Sequence, residues 1–176
     1  MQAVVPETTG EQVVNNSGTM ELWRQTWRDG FVPLLTTENL EALRDALRDD
    51  DQRLTQGSTT TPPPLMCVMD WPVECGCALG FMGAMENGGF ADEKPTGKCT
   101  NPNAATVGET EEWFGRKCFD ADTRLGEESA CRHWINWFDD TPRGEMRREL
   151  LAEVELALAS RLVEANSQHL CTGGAA

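Results

Sequence analysis

The chain has 176 residues, with 29 Asp or Glu against 15 Lys or Arg and a net charge of −14. A chain of this length is most economically one domain, burying roughly 70% of the surface its unfolded form exposes and needing no disulfide or metal to fold. The charge argues against direct nucleic-acid binding, whose affinity comes from clustered Lys and Arg, and no window offers the ~20 apolar residues of a membrane span.

Residues 1–18 show neither the period of a helix nor that of a strand and predict a flexible N-terminal tail. They lack the basic start and apolar middle of a secretory signal, so a cytoplasmic location with reduced cysteines is expected. Trp23, Trp27, Phe31 and Leu34 then recur every three to four residues, which places them on one helical face that Gly30 and Pro33 bring to an end. Thr36 or Thr37 can cap a second helix with the stripe Leu40, Leu43 and Leu47.

The run Gln56 to Pro64, QGSTTTPPP, precludes helix and predicts a stiff, extended, Pro-rich connector. The next stretch, Leu65 to Met85, is poor in charge and reads as the packed centre of the fold. Within it Asp70 can cap a helix that starts near Trp71 or Pro72 and stops at Gly88 and Gly89. Its glycines, Gly76, Gly80 and Gly83, each cost a helix about 1 kcal/mol relative to Ala, so they predict close packing against neighbours.

Residues 88–105 are rich in Gly, Pro, Asn and Thr and predict a long loop. Thr106 with Glu109 is a capping-box pattern that opens a helix over 106–125, closed by Gly126. Cys131, Trp134, Ile135 and Phe138 define a short aromatic helix. Thr141 and Pro142 start a last helix striped by Met146, Leu150, Val154, Leu158 and Leu162. The expected fold is all-α: a single-domain irregular bundle of about six helices over 19–166, followed by a flexible tail over 167–176.

Catalytic signatures are absent from the sequence: there are two histidines, His133 and His169, and no nucleophile elbow, zinc-protease, phosphate-loop or dinucleotide pattern. The expectation is therefore a protein without catalysis and without a resident cofactor. Zinc is the alternative, held by Cys67, Cys75, Cys77 and Cys99. Against it, Cys75 and Cys77 on a helix would point about 200° apart.

The tryptophans are more informative, with six in the chain and no tyrosine. Trp23, Trp27, Trp113 and Trp134 fall on core-facing stripes, whereas Trp71 and Trp137 lie beside acids. Trp is enriched where partners dock. The reading is a small acidic interaction module, an inhibitor or adaptor, that meets a protein partner with a basic surface through Asp70, Trp71, Glu109, Glu112, Asp120, Trp137, Asp139 and Asp140. A structural subunit of an oligomer is the further alternative.

Overall fold

The computed structural model describes residues 22–91 and 101–172. Among them six helices form the expected all-α irregular bundle, joined by one two-stranded antiparallel sheet. Helix α1 covers 22–34, widening to π geometry at Thr26–Phe31 and tightening to a 3₁₀ turn at Val32–Leu34. It is followed by α2 (Thr37–Asp49), strands β1 (Thr60–Thr61) and β2 (Cys75–Gly76), then α3 (Ala78–Glu86), α4 (Val107–Leu125), α5 (Cys131–Asp140) and α6 (Arg143–Thr172). The N-terminal tail 1–18, Cys99 and residues 92–100 of the predicted loop lie outside the described residues.

The caps read from the sequence set the helix starts. Thr36 accepts from the Asn39 amide and Asn39 returns a bond to the Thr36 amide, while Thr106 and Glu109 do the same for α4. These reciprocal bonds satisfy amides that have no partner within the helix. At the far end of α4, Gly126 adopts the left-handed conformation, φ 67°.

One core receives buried side chains from every helix. Its aromatic wall lies between α1 and α5: Trp27 and Phe31 pack on Trp134, which stacks on Phe138. Gly30 lets α1 approach Ala121 and Leu125 of α4. Trp23, Trp27, Trp113 and Trp134 are all at most 3% exposed, and among the described residues their buried indole nitrogens meet no acceptor. Each such donor costs about 1–3 kcal/mol, which the large apolar faces of these rings offset.

The central segment departs from expectation. Helix α3 begins at Ala78, capped by Cys77, whose thiol accepts from the Gly80 amide, and Asp70 caps nothing. Residues 72–76 are extended because distant carbonyls and amides meet their backbone groups: Val73 N donates to Ala105 O, Gly76 N to Arg53 O, and Gly76 O accepts from Thr55 N. A helix would have left those distant partners unmet. Cys75 and Cys77 are therefore not helical neighbours, and their side chains are not held to the roughly 200° divergence of a helix.

The Pro-rich run is likewise tied into the core. Thr60 is fully buried, and β1 pairs with β2 in the register Thr60 to Gly76 and Thr61 to Cys75. Of the stretch predicted to be central, Val73 and Ala78 to Ala84 are buried, but Leu65, Met66, Cys67 and Trp71 are exposed.

Helix α6 packs through Met146, Leu150 and Val154. It is fastened to α1 by Glu153, which is 6% exposed and meets Arg28 through two bonds of 2.7 and 2.8 Å and Arg24 at 3.3 Å. Beyond Leu158 the predicted stripe leaves the bundle, and Leu162 is 67% exposed.

Candidate functional site

Prolines 62–64 and Pro72 bracket a turn over 65–71. Val68 N donates to Leu65 O and Trp71 N to Val68 O, both at 2.9 Å, and Val68 turns inward as the anchor. The first amides of α4, which have no acceptor within their own helix, clamp this turn from outside: Val107 N donates to Trp71 O at 2.9 Å and Gly108 N to Met69 O at 2.8 Å. Gly108 permits the approach, since a Cβ there would stand 3.2 Å from Met69 O.

The clamp holds the backbone and sends the side chains outward. Leu65 and Trp71 are each 57% exposed and Met66 94%. Exposed large apolar side chains brought together on one short turn are a common mark of an interaction surface. Asp70 and Glu74 are exposed within and just after this turn, and Glu109 and Glu112 on the first turns of α4. Thr106 holds the Glu109 carboxyl below the usual range through backbone and side-chain hydrogen bonds, so it stays ionised.

Of the residues singled out from the sequence, the Val107 and Gly108 amides bring Asp70 and Trp71 beside Glu109 at the start of α4, and Glu112 is exposed one turn further along that helix. The fold places the others elsewhere. Trp137 stacks on Trp23 with ring centroids 3.5 Å apart and planes 5° from parallel, which makes it part of the α1–α5 contact. Asp139 accepts from the Gly57 amide at 2.9 Å and ties the 57–59 loop to α5, while Asp140 is exposed beside it. Asp120 is exposed on the outer face of α4, next to Phe119.

Sequence reasoning missed Leu65 and Met66, which it placed in the core. The available signal was the pair of proline brackets, which isolates seven residues too short to cross a core and return.

Four cations are held by backbone carbonyls elsewhere in the bundle. Arg143 binds Leu54 O and Asp51 O, Arg147 binds Leu47 O, Arg161 binds Val32 O and Leu35 O, and Lys117 binds Leu34 O. Positive side chains that satisfy helix-end and turn carbonyls complement the negative helix ends. The charge they would otherwise offer to solvent is directed inward.

Among the sequence-derived metal candidates, Cys67 is exposed, Cys75 half-buried and Cys77 buried, with its thiol pushed up to about 12 by burial. Among the described residues no three His, Cys, Asp or Glu side chains converge on a metal position. A groove of about 570 Å³ runs between α1 and α6, floored by Val32, Pro33, Leu156 and Ala157. No described helix is long and apolar enough to cross a membrane.

Fold and site together describe an acidic helical bundle with an apolar corner fixed at a helix start. No family model, curated protein or solved structure matches the chain.

Proposed function

We propose that this chain is a small protein-interaction module, an inhibitor or adaptor, whose Trp71 corner docks into an apolar cleft on a basic protein partner. The observation that supports this reading is the exposure of Leu65, Met66 and Trp71 on a backbone clamped to the start of α4, beside the exposed Asp70 and Glu109. A rigid aromatic anchor loses little entropy on binding, and hot spots are enriched in Trp. The surrounding carboxylates steer the approach of a positive surface and act mainly on the association rate.

The acids are tested by neutralising Asp70→Asn, Glu109→Gln and Glu112→Gln together and following association with a captured partner as salt is raised. The triple variant is expected to associate more slowly and with a flatter salt dependence. An unchanged rate at every salt concentration would contradict the proposed role of the acids.

A second reading, a structural subunit of an oligomer, draws on α6, where Leu156, Leu162 and Val163 are each more than half exposed. Sedimentation equilibrium separates the two readings. A monomer at low concentration opposes the self-associating form of the subunit reading.

A further inference from the structure

A cavity of about 270 Å³ lies between the 57–59 loop, α4 and α5. Trp134 and Phe138, buried and stacked with ring centroids 5.1 Å apart, line it together with the buried Cys77. Phe114 of α4 and Ile135 of α5 are half-buried and complete its apolar wall, while Gly57 and Asp139 are exposed at its mouth. Protein interiors hold few voids larger than a water molecule, and an apolar cavity of about 150 Å³ already admits benzene. There is room here for an aromatic ring with a short chain.

The loop that borders the cavity is fixed by the fold. Gly57 N donates to Asp139 Oδ1 at 2.9 Å, Gln56 Nε2 to the Phe138 and Thr141 carbonyls, and Cys77 N to Ser58 O at 3.1 Å. An occupant therefore meets a preformed site, with little ordering to offset its binding.

The polar atoms around the cavity call for a donor. Ser58 gives its hydroxyl proton to Thr60 O at 2.6 Å, so its own oxygen is left to accept. Asp139 holds Gly57 through Oδ1, and among the described residues Oδ2 meets no donor. Among the described residues, Asp139 is also the one charged side chain in the lining. Burial pushes the Cys77 thiol up to about 12, and the negative charges of Asp139 and Glu111 act in the same direction, so the thiol brings no charge of its own. Aromatic rings beside a carboxylate suit a cation that carries apolar surface.

We infer that this cavity binds a small protonated arylalkylamine, with its ring against Phe114, Trp134 and Phe138 and its ammonium group at the mouth beside Asp139. Burial of the ring supplies most of the affinity, and the carboxylate selects the sign of the charge. The net charge of −14 raises the local concentration of cations further. An anion of the same shape would meet Asp139 with no Lys or Arg in the described lining to compensate.

Ile135 is the only isoleucine in the sequence, so its δ1 methyl gives a single NMR resonance from the cavity wall. The full chain, methyl-labelled at isoleucine, is titrated with phenethylamine and with phenylacetate, an anion of matching shape. The Ile135 resonance should shift saturably with the amine, and phenylacetate should bind at least about tenfold more weakly. Asp139→Asn keeps an acceptor for Gly57 and should weaken the amine about two- to fivefold, as expected for a solvent-exposed ion pair. No saturable shift with the amine, equal affinity for phenylacetate, or unchanged amine affinity in Asp139→Asn would overturn the inference.

Discussion

A single methyl group at Gly80 separates two opposing effects. As a helix residue Gly80→Ala should gain about 1 kcal/mol in propensity. Its Cβ, however, would stand 1.8 Å from Thr59 O and 2.9 Å from Thr59 C, both backbone atoms. Nonbonded atoms are comfortable near roughly 3.5 Å, so one backbone must retreat by roughly 1.5 Å.

Thr59 cannot yield alone. Cys77 N donates to Ser58 O at 3.1 Å and to Thr59 O at 3.3 Å, and β1 follows immediately. Displacing this strand loses two or three hydrogen bonds at about 1 kcal/mol each, and overpacking adds about 1–3 kcal/mol. After the propensity gain, the net cost is about 2–5 kcal/mol, equivalent to a fall in Tm of about 4–20 °C for a domain of this size.

Gly115→Ala is the control, because nothing lies within 4 Å of a Cβ there on α4. It should stabilise by up to about 1 kcal/mol. Urea unfolding followed by far-UV circular dichroism measures both variants. If Gly80→Ala matches or exceeds the wild type in stability, the account of α3 pressed against the 59–61 backbone is wrong.

Two further substitutions probe the framework around the site. Glu153→Gln removes the charge that joins Arg24 and Arg28 of α1 to α6, and because both arginines retain access to water the loss should be about 2 kcal/mol, below the usual cost of breaking a fully buried pair; thermal unfolding checks it. Glu111, whose carboxyl is pushed up chiefly by burial while hydrogen bonds from Thr60 and Thr59 lower it, carries a charge that the fold disfavours. Its stability contribution is full below the ordinary carboxyl pKa and is lost as pH rises through the raised value. Glu111→Gln should therefore be more stable than wild type near about pH 7, by less than about 1 kcal/mol after solvent screening, and the advantage should vanish near about pH 4 in urea melts.

Where structure depends on neighbours in sequence, the sequence is readable. Thr36 and Thr106 announced their caps, Gly126 its stop, and Trp23, Trp27, Phe31, Trp134 and Phe138 their shared interior, because 3.6-residue spacing and capping chemistry are local properties. Residues whose partners lie far along the chain were misread. Asp70 followed by Trp71 and Pro72 satisfies every local rule for a helix start, yet the backbone of 72–76 meets Arg53, Thr55 and Ala105 and remains extended. Gly80 was recognised as a close contact, but its neighbour is the threonine backbone before β1, not another helix. Trp137 looked available for docking until the fold set it against Trp23. At the corner, Trp71 and Asp70 were legible as a pair, whereas their meeting with Glu109 depends on the clamp from Val107 and Gly108.

Capture of partners from the native host on the immobilised full chain, with wild type and Trp71→Ala compared side by side, tests the interaction reading most directly. Trp71 makes its hydrogen bonds through the backbone and its side chain is 57% exposed, so the variant keeps the fold. The account predicts a basic protein retained by wild type and lost from Trp71→Ala, with affinity weakened by at least about 2 kcal/mol, or about 30-fold. Equal retention of the same partner by both chains would contradict it.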